Sequence, residues 1–255
     1  MAEGGEDVKR ELGSTLLGKY LFVRSCAGCG ELLSHDQWEN AFCDACLLRY
    51  RAAKLESCPH CLLSAHQCRC MPSGLSQTGM ISLRKMILYH SKKRGEPQNQ
   101  LIYRLKQSAN RRMANFVARE LSEGILEELR ILGVEPSEAR VVGIPRGRRA
   151  KNLYGHDQAP FLAQAISQVS EIPYVAAIRR KRGGKEQKHL KRGGRFRNIR
   201  HLFYPTAKAA ELRGRCVLLV DDVVTTGASM AACVKLLRET GAKEILGLCV
   251  GQNEN

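Results

Sequence analysis

Two groups of residues in this chain have the types and spacing to do chemistry. The first begins at Asp221 and Asp222, directly after the apolar run Val217 to Val220, and continues through Thr225, Thr226, Gly227, Ala228 and Ser229. An apolar run of that kind reads as a buried strand, and the Thr-Thr-Gly-Ala-Ser turn reads as the opening of a helix. Backbone N–H groups at a helix start, its dipole and three hydroxyls together favour a phosphate. Gly227 lets the backbone approach that anion without a side chain in the way. The two carboxylates would repel phosphate, but they suit hydroxyl groups and a hydrated cation beside it. The combination fits a sugar phosphate with free hydroxyls, with Mg²⁺ alongside.

The second group is the cysteines. Cys26-x₂-Cys29 and Cys43-x₂-Cys46 stand thirteen residues apart, the spacing of two knuckles closing one tetrahedral zinc site. Cys58-x₂-Cys61 with Cys68-x-Cys70 suggests a second site, in which His60 or His66 could replace a thiol. Four thiolates leave no open coordination position, so the expected zinc is structural. Cys216, Cys233 and Cys249 lie in apolar stretches and read as core packing. Two plainer alternatives compete for the acidic loop. It could be an ordinary strand-turn-helix corner, or the Walker B segment of an ATPase. The latter needs a phosphate loop elsewhere, and Gly13 to Tyr20 nearly matches one, but Tyr20 stands where a Ser or Thr must ligate Mg²⁺.

These groups need elements to hold them. Apolar runs at Val141 to Ile144, Tyr174 to Ile178, Val217 to Val220 and Ile245 to Val250 read as buried strands. Helical spacing from Leu101 to Leu129, interrupted near Asn110 and ended by Gly133, predicts amphipathic helix, with further helices over about 159–169 and 229–240. Alternating strands and helices imply an α/β fold, a mostly parallel sheet with helices on both faces. Eight of the eleven cysteines fall between Cys26 and Cys70. The division expected is an N-terminal segment 1–25, a Cys-rich double zinc-binding module 26–71, a linker and helical segment 72–133 beginning at Pro72-Ser73-Gly74, and the α/β domain 134–255.

Formal charge is +16. A divalent ion on four thiolates carries a net −2, so two filled sites lower this to about +12. The segment from Arg179 to Arg200 holds eleven Lys or Arg against one acid, Glu186. It is either a solvated loop or an anion-binding flap, with Gly183-Gly184 and Gly193-Gly194 as flexible points. No apolar run approaches the roughly 18 residues that span a bilayer. The acidic start Met1 to Asp7 has no secretory pattern, and a cytoplasmic location without membrane insertion is expected.

From Val217 to Ser229 the chain resembles the motif with which type I phosphoribosyltransferases bind 5-phosphoribosyl-1-diphosphate. That resemblance implies that Asp221 and Asp222 meet the ribose hydroxyls and that Thr225 to Ser229 take the 5-phosphate. The loop after the first strand, with Arg146, Gly147 and Arg148, would take the pyrophosphate, or is a plain surface turn. With the cysteine pairs, Gly155-x-x-Gln158 and the stretch from Gln187 and Leu190 through Arg197 and Asn198 to Phe203, nearly the whole chain resembles the ComF family. That family joins a zinc module to a type I phosphoribosyltransferase-like domain. Where it usually shows Arg-Gly-Phe-Asn-Gln, this chain has Tyr154 to Gln158, losing an Arg and exchanging Asn for Asp157. The implied roles are phosphoribosyl transfer in nucleotide metabolism, or DNA uptake with other competence proteins as partners. An alternative is a non-catalytic sensor of the donor that holds single-stranded DNA on the flap and on an Arg84 to Arg112 surface, with Phe196 and Phe203 stacking on bases.

Overall fold

The computed structural model describes residues 24–90, 92–147, 153, 155–181 and 200–253. Two Cys-rich knuckles come first, flanking helix α1 (Asp44–Lys54). A short helical turn α2 (Ser73–Ser76) leads into strand β1 (Ser82–Tyr89), followed by α3 (Pro97–Gln107) and α4 (Arg111–Leu132). Then come β2 (Ala139–Gly143), α5 (Gln158–Ser170), the short strands β3 (Ile178–Arg180) and β4 (Phe203–Pro205), β5 (Cys216–Val224), α6 (Ala228–Glu239) and β6 (Glu244–Asn253).

The main sheet has the order β1-β6-β5-β2, with every pairing parallel. Parallel strands are buried on both faces, which is why β5 and β6 read as unbroken apolar runs. One face is covered by α4 and α5, whose Phe116, Leu121, Ile125, Leu162 and Ile166 meet Leu218, Val220, Leu246 and Leu248. The other is covered by α6, where Met230, Val234 and Leu237 meet Val217, Leu219 and Ile245. The expected α/β fold, with helices on both faces and a Cys-rich module ahead of it, is therefore present.

Local chemistry explains the helix ends. Pro97 opens α3, where a missing N–H costs nothing. Asn110 caps α4 by accepting the Met113 N–H at 3.1 Å, which accounts for the interruption near that residue. Gly133 closes α4 at φ 64°.

Three readings change. The run Tyr174 to Ile178 is not a sheet strand: Tyr174 makes one parallel bridge to Val141, and Ile178 opens β3, which pairs antiparallel with β4. The residues from Pro72 to Gly74 are not a plain linker but the N-cap and first two residues of α2, with Leu75 fully buried. And β1 escaped notice because its core carries Arg84 and Lys85, which broke the apolar pattern although both are buried.

The Cys-rich module shares a core with the sheet domain. Phe42 lies 5.3 Å from both Tyr50 and Phe116, ring centre to ring centre, and Tyr50 lies 5.4 Å from Phe116 of α4. The Tyr50 hydroxyl donates to Glu120 at 2.6 Å and Lys54 pairs with the same carboxylate at 2.5 Å.

Candidate functional site

The acidic pair lies within β5 rather than beyond it. The strand runs four residues past Val220, and Val224 still registers against Gln252. Asp222 is buried, 6% exposed, while Asp221 is partly so. Arg146, at the end of the segment that follows β2, donates through Nη2 to Asp222 Oδ2. Lys106 Nζ, from the last turn of α3, stands 3.4 Å from the same oxygen. Asp157, the N-cap residue of α5, accepts the backbone N–H of Arg146 at 3.0 Å and so fixes the turn that presents the guanidinium. The exchange of Asn for Asp157 keeps that acceptor. His156 bonds to the Leu105 carbonyl at 3.0 Å and ties the end of α3, hence Lys106, to the same corner.

The electrostatics divide the pair. Burial, then the charge of Asp222, pushes Asp221 well above the ordinary carboxylate range. For Asp222 burial acts in the same direction, but Lys106 and Arg146 outweigh it and hold the carboxyl below its usual value. One carboxylate is therefore matched by cations and its neighbour is short of one, and an added cation would relieve it.

Beyond Val224, Gly227 adopts φ 73° as the N-cap of α6 and makes no side-chain cap bond. The first intrahelical bond runs from the Ala231 N–H to Gly227 at 2.8 Å, so the helix start presents the orphan N–H groups that anions use. Thr225 is exposed, and Thr226 and Ser229 are partly so. Of the residues expected on the second loop, Gly147 has the Arg180 guanidinium beside it: a Cβ there would lie 3.7 Å from its Cζ. Arg180 in turn sits 5.4 Å over the Phe203 ring. Arg148 lies outside the described residues, as do 182–199 with Phe196 and the Gly13 to Tyr20 segment.

Arg146 lies on the loop after β2 and contacts Asp222. Two readings need correction. Phe203 is buried under Arg180 and offers no face to a base. The Arg84 to Arg112 stretch is an open basic surface only in part: Arg84 and Lys85 are buried and Arg112 donates to the carbonyls of Asn40 and Ser25, whereas Lys92, Lys93, Arg94 and Arg111 are exposed. Lys106 was missed, since a lysine on an amphipathic helix carries no mark of its partner.

Both cysteine groups assemble. Cys26, Cys29, Cys43 and Cys46 bring their sulfurs within 4.8 Å of one another, and so do Cys58, Cys61, Cys68 and Cys70. Four sulfurs around zinc at ~2.3 Å would lie ~3.8 Å apart, and Cys29 and Cys43 are 3.7 Å apart. Backbone N–H groups of Gly28 and Cys43 donate to Cys26 at 3.3 Å each. Burial raises the Cys26 thiol, but backbone N–H bonds from Cys43, Cys29 and Gly28 outweigh it and bring it to about 7. Cys29 goes the other way, to about 12, through burial and then crowding by Cys26, Cys43 and Cys46. Crowded thiols of this kind suit a divalent ion, so the donor set fits zinc. No histidine is needed in the second group: the His66 ring bonds to the Lys54 carbonyl and His60 is exposed. Cys216, Cys233 and Cys249 are buried, and burial raises all three thiols, as core cysteines require.

Comparison with known proteins agrees with this arrangement. Residues 158–251 match the family profile described as phosphoribosyl transferase domain. The DNA utilization protein YhgH of Escherichia coli K12 is 27% identical over 226 residues, 88% of this chain and 95% of that protein. Competence protein F of Haemophilus influenzae is 27% identical over 213 residues, 81% of this chain and 88% of that one. A solved purine phosphoribosyltransferase from Pyrococcus horikoshii aligns at a TM-score of 0.34 and 19% identity over 54% of this chain and 74% of that chain. The two relatives match most of the chain and the profile matches its C-terminal part, so the chain resembles the ComF family throughout and carries a phosphoribosyl transferase domain.

Proposed function

We propose that this protein binds 5-phosphoribosyl-1-diphosphate with Mg²⁺ and transfers the phosphoribosyl group to a nitrogen acceptor, serving nucleotide metabolism or DNA uptake in the cytoplasm. The observation that carries this reading is the junction of β5 and α6, where an acidic pair, one member of it buried and held by Arg146 and Lys106, adjoins a helix start with a left-handed glycine. In the reaction the acceptor nitrogen forms a bond to C1 as the C1–O bond breaks. The pyrophosphate leaves with the electron pair, and the acceptor nitrogen loses a proton to solvent. Charge develops on the ring as in glycoside hydrolysis. Catalysis then consists of alignment and electrostatic stabilisation, without a strong base.

In this account Thr225 to Ser229 hold the 5-phosphate, and Asp221 and Asp222 accept the ribose hydroxyls. Mg²⁺, when bound, would neutralise the leaving pyrophosphate. Arg146 and Lys106 both contact Asp222 Oδ2, so a ribose hydroxyl taking that oxygen displaces Arg146, which can then turn to the pyrophosphate with Gly147 and Arg148. Arg180, near the start of the basic segment, lies beside Gly147. Zinc at the eight cysteines is structural. The test is release of pyrophosphate from the donor in a screen of nucleobases and related amines: turnover with one acceptor supports transfer, and no turnover with any of them reduces the protein to a donor-binding one.

The names of the relatives and a formal charge of +16 favour a second reading, in which the donor is an effector and the basic flap holds single-stranded DNA. Other competence proteins would then be partners. Binding of a short oligonucleotide at several salt concentrations separates the two. Neutralising about six phosphates gives a slope near −4 in log affinity against log salt, and salt-insensitive or absent binding removes this reading.

A further inference from the structure

The segment joining the second cysteine group to β1 reaches the phosphate loop. Leu75 stands five residues after Cys70. Its side chain is fully buried and packs on α6 with Met230, Ala231 and Val234. A Cβ on Gly227 would lie 2.7 Å from Leu75 Cγ and 2.8 Å from Cδ1, so Leu75 backs the loop at its left-handed glycine. The segment holds its own shape: the Leu75 N–H bonds to Pro72, and the Thr78 N–H and hydroxyl both donate to the Leu75 carbonyl, at 2.9 and 2.6 Å. Its far end grips the other end of α6, where Arg238 Nη2 donates to the Gly79 carbonyl at 2.7 Å.

The cysteine group is itself anchored to the sheet edge. Lys85, buried in β1, donates to Cys68 Sγ at 3.2 Å and to the Cys70 carbonyl at 2.6 Å. Arg84 donates to the His66 carbonyl at 3.1 Å and pairs with Glu128 at 2.7 Å, and Arg69 pairs with the same Glu128 carboxylate at 2.5 Å. With one end fixed at β1 and the other against Gly227, the position of Leu75 depends on where Cys70 is held.

We propose that Leu75 is a positioning residue for the 225–229 loop, and that metal at Cys58, Cys61, Cys68 and Cys70 keeps it there, so that filling this site tightens binding of phosphate esters. The proposal rests on reading that loop as the phosphate site. Coupling of this kind is reciprocal, so a bound phosphate ester must tighten metal at the second group by the same factor.

The test uses the full, zinc-loaded chain with ribose 5-phosphate as probe. Calorimetry should show Leu75→Ala and Cys70→Ser each weakening the probe about tenfold. Leu75→Ala keeps both zinc ions, Leu75→Met restores affinity, and the double variant binds no more weakly than Cys70→Ser alone. Hydrogen exchange supplies a readout independent of the probe: amides of residues 231–234, which close the first turn of α6, should exchange at least tenfold faster in Leu75→Ala and Cys70→Ser. In Cys29→Ser, which loses zinc from the first group, they should not change. Additive losses, or unchanged loop exchange when the second zinc is gone, overturn the proposal. Should Cys70→Ser not fold, Leu75→Ala decides alone, because it must abolish the tightening of second-site zinc by the probe. Failure of the wild type to bind ribose 5-phosphate, with the exchange pattern intact, refutes the phosphate reading and leaves the clamp standing.

Discussion

Asp221 and Asp222 are adjacent in sequence but differ in charge balance, and the difference yields a test at the scale of single residues. The folded state raises Asp221 above its unfolded value of about 3.9, mainly through burial and then through Asp222. The protonated form therefore contributes stability that is complete below pH about 4 and is lost as pH rises through the raised value. Asp222 runs the other way, its stability being lost as pH falls through a lowered value. Asp221→Asn should accordingly stabilise the ligand-free protein by roughly 1 kcal/mol at pH 7.5. Urea unfolding at pH 7.5 and pH 5 should show that gain shrinking as pH falls, because the wild-type carboxyl takes up its proton more readily than an ordinary one. A gain that is the same at both pH values would mean that Asp221 is not strained by charge. Another residue-scale strain lies in the second knuckle. Gly30 has φ 86° in the first knuckle, whereas Leu62 occupies the matching place at φ 61° while 77% exposed. Leu62→Asn should raise stability by about 0.5–1 kcal/mol in the same assay, since Asn tolerates that conformation.

At the scale of elements, the legible parts were those whose local chemistry agrees with their period. The β5 run, the α6 start at Gly227 and the α4 cap at Asn110 all announce themselves. What stayed hidden depends on partners far away in sequence. Arg84 and Lys85 make β1 look like surface, and their acceptors are Glu128 on α4 and a cysteine of the second group. Lys106 and Arg146 meet Asp222 only because α3 and the segment after β2 converge on the end of β5. The same holds for Phe42, whose partners Tyr50 and Phe116 belong to α1 and α4. Phe42→Ala should therefore cost about 3–4 kcal/mol, read by denaturant unfolding of the whole chain in one transition. A small loss confined to the Cys-rich part would show that the two cores are separate.

For the whole molecule, the two cysteine groups and the shared core imply that metal and fold are linked. Purified protein should hold two zinc ions per chain, and chelation should lower the melting temperature of the entire chain, since structural zinc is folding energy. One ion would remove the Cys58 to Cys70 site, and a melting temperature unchanged on chelation would separate metal from fold. The central claim, that this molecule is built around a phosphoribosyl diphosphate site, is tested most directly by calorimetric titration of 5-phosphoribosyl-1-diphosphate into the wild type and the Asp221→Asn, Asp222→Asn double variant, with and without Mg²⁺. The account predicts Mg²⁺-dependent binding by the wild type, weakened by more than about 2 kcal/mol in the double variant, with zinc content unchanged. Equal binding by the two proteins, or none by the wild type, would contradict it.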